Sequence, residues 1–115
     1  MSKKILLIDD SPAVRIQLSM CLRGGGYQVV EAVDGQDALE KRDGCALAIC
    51  DVNMPRMNGI EFLEQISEQP MPVVMLTTEG RPELVDRARK AGAKGWMVKP
   101  FRPEQLLMMV KRLVG

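Results

Sequence analysis

The sequence predicts an α/β fold in which a doubly wound, five-stranded parallel sheet carries helices on both faces. Two observations support this prediction. Short apolar runs alternate with helical stretches along the whole chain, and most of these runs lack the regular polar positions of a half-exposed strand. Units of strand, turn and helix that repeat in this way form a parallel sheet covered on both sides. The 115 residues have the size of one domain.

The predicted strands are short and rich in valine, isoleucine and leucine. The third and fourth are nearly apolar throughout, which is typical of strands buried on both faces, whereas the fifth is weaker. The strands occupy residues 4–8, 28–32, 45–50, 72–76 and 95–98.

Start and stop signals bound the predicted helices. Ser11 and Pro12 supply an N-cap and a first-turn proline for the first helix, and the glycines at 24–26 end it. Asp34 caps a short helix around residues 36–41. The other three helices follow Asn58 over GIEFLEQISEQ, run from Pro82 to a stop at Gly92, and begin at Pro103.

Charge and hydropathy do not favour nucleic acid or a membrane as a partner. The chain has 16 lysines and arginines against 15 acids, a net charge of +1, which gives no argument for binding nucleic acid or an anionic membrane. No apolar stretch has the length of a transmembrane helix. The start, MSKKILLIDD, is a strand pattern and not a signal peptide, so we expect a cytoplasmic protein.

Cysteine and histidine usage excludes several kinds of chemistry. The three cysteines, Cys21, Cys45 and Cys50, are odd in number and follow no secretion signal, which argues against a disulfide framework. The chain contains no histidine. Serine–histidine catalysis, cysteine–histidine catalysis and most zinc sites are therefore excluded.

Polar residues follow four of the predicted strands where each strand ends. Asp9 and Asp10 follow the first, Asp51 the third, Thr77 the fourth and Lys99 the fifth. In open parallel sheets, functional groups lie at the carboxyl ends of the strands near the point where the strand order reverses. With the order 2-1-3-4-5, the first and third strands are neighbours at that point. Three carboxylates, a hydroxyl and an ammonium then share one shallow cleft.

This cluster suits a divalent cation and a phosphoryl group. Neighbouring carboxylates repel one another unless a cation lies between them, and Mg²⁺ prefers oxygen ligands. Lys99 adds a second positive charge, so the cleft suits a dianion, and Asp51 is placed to attack phosphorus. Each residue alone has a plainer interpretation as a cap, a turn or a surface lysine. The joint spacing favours a site.

The chain resembles, along its whole length, the receiver domains of bacterial two-component response regulators. The resemblance is carried by ILLIDDSP, DVNMPRMNG, VVMLTTE and MVKPF. Among stand-alone members the chain is most similar to the chemotaxis regulators. The resemblance implies a flavodoxin-like (βα)5 fold with strand order 2-1-3-4-5. We expect one receiver domain over residues 1–115 and no output domain, because the sequence stops directly after the last predicted helix.

The resemblance also implies residue roles. Asp51 is the phosphoacceptor and binds Mg²⁺ together with Asp10, whereas Asp9 acts through an ordered water. The backbone carbonyl of Asn53 completes the protein ligands. The resemblance further implies that the Thr77 hydroxyl bonds the phosphoryl oxygen and that the Lys99 ammonium pairs with it. It also implies a cis peptide bond between Lys99 and Pro100 and a turn at Gly59.

Two positions depart from the commoner family pattern. Trp96 holds the place of a tyrosine or phenylalanine that swings inward behind Thr77 on activation, and the alternative is a fixed surface aromatic used only for binding. Thr78 is larger than the small residue usual at this position, so we expect it to narrow the access of water and phosphoryl donors to the site. Asn53 and Glu79 resemble regulators that lose the phosphoryl group quickly, so these cues oppose each other and predict no phosphoryl lifetime.

The last helix carries more apolar residues than one stripe needs. Leu107, Met108 and Met109 do not all fit the face that packs on the sheet, so we hypothesise an exposed apolar patch beside Trp96 that binds a partner. The alternative is a wider buried stripe that includes Leu107 or Met109. The packing face is predicted from Leu106, Val110 and Leu113.

These expectations describe a phosphorylation-activated signalling switch and not an enzyme with a separate substrate. Its phosphoryl donor is a sensor histidine kinase or phosphotransfer protein. The output is a changed surface on the fourth helix, fifth strand and fifth helix that binds a downstream protein, and the switch is a monomer or a weak phosphorylation-dependent dimer. It takes part in its own phosphotransfer and dephosphorylation.

Three alternatives stay open at this point. A haloacid-dehalogenase-type phosphatase also uses a strand-end aspartate, but it needs a second acid two residues later, where Asn53 stands. A flavodoxin-like electron carrier needs a phosphate loop where this chain has DDSPAV. The third alternative is a receiver that serves as a scaffold without being phosphorylated.

Overall fold

One parallel sheet organises the chain. A computed structural model describes residues 3–52, 59–68, 71–78 and 81–114. In these ranges five strands form a sheet of order β2-β1-β3-β4-β5, and every neighbouring pair is parallel, which confirms the predicted fold class. The strands are β1 (Lys4–Ile8), β2 (Gln28–Ala32), β3 (Leu47–Cys50), β4 (Val73–Thr77) and β5 (Gly95–Val98).

Five helices alternate with these strands in the described ranges, and side-chain caps explain where two of them begin. The Ser11 Oγ accepts a hydrogen bond from the Val14 N–H at 3.4 Å, and the Asp34 Oδ1 accepts one from the Asp37 N–H at 2.8 Å. None of the described helices combines the length and apolar character that a membrane crossing requires. The helices are α1 (Pro12–Gly24), α2 (Gly35–Lys41), α3 (Gly59–Gln65), α4 (Pro82–Lys90) and α5 (Pro103–Val114).

Two apolar layers cover the faces of the sheet. Leu6 and Ile8 face a layer that includes residues of α2, α3 and α4, whereas Ile5 and Leu7 face a layer with residues of α1 and α5. Successive strand residues point to opposite faces, so a strand covered on both sides is apolar at every position. All four of these β1 side chains are completely buried. The continuous apolar runs in the sequence follow from this double coverage.

Several element bounds differ from the predicted ones. The third strand begins at Leu47 because Cys45 still belongs to the preceding turn. The Cys45 N–H donates to the Arg42 carbonyl at 3.1 Å, and Gly44 has a φ of 80°, which favours glycine. Asn58, the expected start signal of the third helix, lies outside the described residues. The strand β4 is shifted by one residue from 72–76, and α2 begins one residue before the predicted 36–41. The helix α3 ends at Gln65 instead of continuing to residue 69.

The exposed patch expected on the last helix is narrower than predicted. Met108 is 63% exposed, but Leu107 and Met109 are half-buried and pack against the layer between α5 and the sheet. The buried stripe therefore includes both residues, as the alternative of a wider stripe expected, and Met108 is the exposed member of the three. Val98 on β5 is 50% exposed, and it lines the same groove as Met108 and Trp96.

Candidate functional site

Backbone hydrogen bonds align the ends of β1, β2 and β3. The Asp9 N–H donates to the Ala32 carbonyl at 3.2 Å, and the Asp51 N–H donates to the Ile8 carbonyl at 2.9 Å. Asp9 and Asp51 therefore leave adjacent strands at the same edge of the sheet. The strand order reverses between β1 and β3, and this is where parallel sheets carry their functional groups.

Three carboxylates meet at this edge. One carboxylate oxygen from each of Asp9, Asp10 and Asp51 lies within 4.8 Å of the other two. Asp9 is 2% exposed and Asp51 9%, whereas Asp10 is exposed. Such a group is costly without a compensating cation, because burial and mutual repulsion both disfavour the ionised forms.

Lys99 supplies a cation within this group. Its Nζ donates to the Asp9 Oδ2 at 2.9 Å and to the Asp51 Oδ2 at 3.0 Å. Burial alone would lower the pKa of the Lys99 ammonium, but the hydrogen bonds and charges of the two carboxylates outweigh burial and raise that pKa above its ordinary value. The lysine is therefore held charged. One ammonium against three carboxylates leaves the cluster with an excess of negative charge.

Lys99 directly follows the end of β5, and this position places it at the cluster. The Lys99 N–H donates to the Thr77 carbonyl at 2.8 Å, which holds the residue beside the end of β4. The peptide bond between Lys99 and Pro100 is cis. Thr77 is completely buried, and Thr78, the next residue, is exposed.

Close packing beneath Asp51 restricts its backbone. The Cys50 thiol donates to the Asp51 carbonyl at 3.3 Å, and burial, followed by the nearby charges of Asp51 and Asp9, raises the pKa of this thiol well above its ordinary value. The thiol is therefore neutral and behaves as a small core group. A Cβ at Gly59 would lie 2.6 Å from the Asp51 carbonyl oxygen and 2.4 Å from the Met75 Cε, so only glycine fits there without displacement.

Arg15 also contacts the site, although it was not among the site residues predicted from the sequence. Its Nη1 donates to the Asp9 carbonyl at 2.5 Å, and its Nε donates to the Glu31 Oε1 at 3.2 Å. The Asp9 carboxylate has a further donor in the Ser11 N–H, at 2.9 Å. The available sequence signal was an arginine one turn into the helix that directly follows the acid pair.

Trp96 lies outside the carboxylate cluster. It pairs with Met75 across β4 and β5 and packs partly buried against the layer formed with α2, α3 and α4. Its buried Nε1 has no hydrogen-bond partner in the part of the chain that the structure describes. Met108 and Met109 lie with Trp96 along the groove between β5 and α5, away from the acids. Asn53 and Glu79 are outside the described residues.

The donor set fits a hard divalent cation. Three carboxylates offer only oxygen ligands, and the cluster contains neither sulfur nor imidazole that would favour zinc. A cation here would neutralise the negative charge that Lys99 leaves uncompensated. The buried positions of Asp9 and Asp51 fix two of the carboxylates, and the exposed Asp10 leaves one side of the cluster open to solvent.

Comparison with known proteins agrees with this geometry. The model of the response regulator receiver domain family matches residues 5–111. The chemotaxis protein CheY1 of Helicobacter pylori is 37% identical, and the alignment covers 97% of both chains. The transcriptional regulatory protein PdtaR of Mycobacterium tuberculosis is 40% identical over 98% of this chain, which spans 57% of the length of PdtaR.

Solved structures show the same likeness. The chemotaxis protein CheY4 of Vibrio cholerae superposes with a TM-score of 0.92 at 41% identity, covering 98% of this chain and 99% of CheY4. A response regulator receiver domain protein from Methanospirillum hungatei superposes with a TM-score of 0.91 at 31% identity. Together with the matched family model, these likenesses show that the chain belongs to the response regulator receiver domain family.

Proposed function

We propose that this chain is a phosphorylation-activated signalling switch in which Asp51 accepts a phosphoryl group and Mg²⁺ is the cofactor. The observation that carries the proposal is the meeting of three carboxylates and one ammonium at the reversal of strand order. Family membership supports the signalling role, since response regulator receiver domains act in two-component signalling. The phosphoryl chemistry at Asp51 is our inference from the geometry.

Asp10 and Asp51 hold the cation in this proposal, together with the backbone carbonyl of Asn53, while Asp9 contributes through a water molecule. When bound, Mg²⁺ supplies positive charge that neutralises the carboxylates and the oxygens of the incoming phosphoryl group. The oxygen-only donor set and the excess negative charge support this assignment. Phosphoryl transfer depends mostly on positioning and charge neutralisation, which these residues provide.

The transfer step exchanges one bond to phosphorus for another. A carboxylate oxygen of Asp51 forms a bond to phosphorus while the N–P bond of a phosphohistidine breaks, and the electron pair of that bond stays on the imidazole nitrogen. Lys99 orients Asp51 before transfer through the 3.0 Å hydrogen bond and pairs with a phosphoryl oxygen afterwards. The Thr77 hydroxyl donates to another phosphoryl oxygen. The product is an aspartyl phosphate.

The phosphoryl donor is a partner protein. The chain has no histidine, so a phosphohistidine has to be presented by a sensor histidine kinase or a phosphotransfer protein. The exposed side of the cluster, at Asp10, lets the partner's phosphohistidine approach the cluster.

The output of the switch is a changed surface on α4, β5 and α5. Thr77 ends β4 and Trp96 lies on β5, so a movement of Thr77 toward the phosphoryl group is transmitted across neighbouring strands. Trp96, Val98 and Met108 line one groove on this surface, and Arg112 also lines it. A downstream protein binds there in this proposal, and the active form is a monomer or a weak dimer.

Intact mass spectrometry after incubation with acetyl phosphate and Mg²⁺ tests the proposal. We expect the mass to increase by one phosphoryl group in the wild-type chain, and not in Asp51→Asn or without Mg²⁺. Asp86→Asn on α4 is the matched control, because Asp86 is an exposed aspartate outside the cluster, and it should be phosphorylated like the wild type. Phosphorylation of Asp51→Asn would disprove the assignment. Steady release of phosphate from many monoesters would instead indicate a phosphatase.

A further inference from the structure

Arg15 connects three elements at the edge of the carboxylate cluster. It lies in the second turn of α1, with its N–H donating to the Ser11 carbonyl at 3.1 Å. Its guanidinium contacts the Asp9 carbonyl, which follows β1, and Glu31 near the end of β2. The Arg15 side chain is only 14% exposed, whereas that of Glu31 is 41% exposed. A long cationic side chain buried to this degree is held in one orientation.

The contact with the Asp9 carbonyl completes the anchoring of Asp9. Its N–H is bound by the Ala32 carbonyl, and its carboxylate is bound by Lys99 and by the Ser11 N–H. The remaining polar group of Asp9 is its carbonyl, which accepts a hydrogen bond from Arg15. Every polar group of Asp9 therefore has a partner.

The same carbonyl belongs to the peptide unit that leads into Asp10. Because a peptide unit is planar, fixing the Asp9 carbonyl fixes the N–H of Asp10 and the direction in which its Cα leaves the strand. Asp10 is exposed, so surrounding side chains restrain its carboxylate less than they restrain those of Asp9 and Asp51. The orientation of this peptide unit then decides whether Asp10 points into the cluster.

We propose that Arg15 is a positioning residue for the divalent-cation site: by holding the Asp9–Asp10 peptide, it sets the affinity of the three-carboxylate cluster for Mg²⁺. This inference depends on the proposed function, since it concerns the cation of the same site. Glu31 has a supporting role, because its contact with the Nε aims the guanidinium and offsets its charge. Residues that orient metal ligands in this way change metal affinity by about 10- to 100-fold when they are replaced.

The sign of the effect separates positioning from simple electrostatics. Removing a positive charge near a cation site should tighten cation binding if charge alone matters. Removing an anchor of the ligand backbone should weaken binding. The Glu31→Gln variant gives the reciprocal test, because glutamine still accepts a hydrogen bond from the Nε but carries no charge. Charge alone predicts weaker binding in Glu31→Gln, whereas positioning predicts nearly unchanged binding.

Calorimetric titration with Mg²⁺ tests the proposal on the intact chain. We expect Arg15→Met to raise the dissociation constant about tenfold, and Arg15→Lys to give an intermediate value, because lysine restores one of the two contacts as a point charge. Arg23→Met is the matched control. Arg23 lies in the last turn of the same helix, where its Nε donates to the Ser19 Oγ. The Arg23→Met variant therefore removes the same charge far from the acids. We expect its dissociation constant to change by less than about twofold, as distant surface charges are screened.

A second readout distinguishes positioning from a general loss of structure. For Arg15→Met, the Mg²⁺ concentration that gives half-maximal phosphorylation by acetyl phosphate should rise with the dissociation constant, while phosphorylation at saturating Mg²⁺ should match the wild type. Circular dichroism at the titration temperature shows that each variant is folded. Unchanged or tighter Mg²⁺ binding by folded Arg15→Met would overturn the inference and leave the proposed function intact. Failure of the wild type to bind Mg²⁺ would overturn both.

Discussion

Two sets of aspartates lie at the carboxyl edge of the sheet, and they have opposite surroundings. Asp34 and Asp37 follow β2. The Asp34 carboxylate caps α2, and the Asp37 Oδ2 accepts hydrogen bonds from the Val33 N–H at 3.1 Å and the Lys41 Nζ at 3.0 Å. These donors are close in sequence to the carboxylates that they bind, so each carboxylate is hydrogen-bonded by its neighbours along the chain. Both residues therefore stabilise the local fold.

Asp9, Asp10 and Asp51 follow β1 and β3 and face one another. The ammonium that Asp9 and Asp51 share comes from Lys99, which is 48 residues from Asp51 and 90 from Asp9. Local capping cannot neutralise a cluster assembled from distant strands. The contrast shows that residue type and strand end alone do not define a site. The site is defined by carboxylates that the topology brings together with less positive charge than they need.

The largest expected effect is at Lys99. Lys99→Met leaves two buried carboxylates without their ammonium, and breaking a buried ion pair in this way costs about 3 kcal/mol of unfolding free energy. Mg²⁺ should restore much of this loss, because it supplies the missing positive charge. Urea unfolding with and without Mg²⁺ measures both effects, and Lys94→Met, at an exposed lysine, is the control. A change below about 0.5 kcal/mol, the range of ordinary surface substitutions, would contradict the account.

The next effect concerns the backbone beneath the cluster. Gly59→Ala places a Cβ 2.6 Å from the Asp51 carbonyl oxygen, so we expect a loss of about 1–3 kcal/mol from overpacking and slower phosphorylation of Asp51. Gly24→Ala is the matched control, since a Cβ there has no neighbour within 4 Å, and it should stabilise the chain by up to about 1 kcal/mol. Equal stability of the two variants in thermal unfolding would show that Gly59 is not confined by Asp51.

A smaller effect is expected among the capping acids. Asp34→Ala removes the N-cap of α2 and should lower the unfolding free energy by about 1 kcal/mol. Phosphorylation by acetyl phosphate at saturating Mg²⁺ should stay at the wild-type level, because Asp34 serves the helix and not the cluster. Loss of phosphorylation in the folded variant would mean that the two sets of acids are not independent.

The smallest effect is a pH dependence at Asp37. Burial alone would raise the pKa of the Asp37 carboxyl, but the Val33 N–H and the Lys41 ammonium together lower it below its ordinary value. The stabilisation is therefore fully present above the ordinary carboxyl pKa and is lost as the pH falls through the lowered folded-state value. Asp37→Asn should cost about 0.5 kcal/mol at pH 7. Thermal unfolding from neutral to acidic pH should show this difference vanish on the acidic side, and a difference that grows there would contradict the assignment.

Much of the site could be predicted from sequence because its residues follow buried strands. An apolar run fixes where a strand ends, and a parallel sheet brings the strand ends to one edge, so Asp9, Asp51 and Lys99 needed only the strand order to be placed together. Arg15 was missed for a different reason. Its role depends on which way a long side chain turns from α1, and helical periodicity does not specify that direction.

The surface of α5 shows where sequence patterns fail. Leu107 and Met109 are half-buried because glycines on other elements leave room for them: a Cβ at Gly25 would lie 2.6 Å from the Leu107 Cδ2, and one at Gly95 would lie 2.8 Å from the Met109 Sδ. The periodicity of α5 contains no information about these distant glycines. The same limitation explains the late start of β3, which is set by the turn at Gly44.

Locating the phosphorylated residue decides whether Asp51 is the phosphoacceptor. Borohydride reduces an aspartyl phosphate to homoserine, so peptide mass spectrometry of the reduced protein identifies the residue that carried the phosphoryl group. We expect homoserine at position 51 after treatment with acetyl phosphate and Mg²⁺, and unmodified aspartate at positions 9 and 10. Homoserine at position 9 or 10, or at an acid outside the cluster, would contradict it.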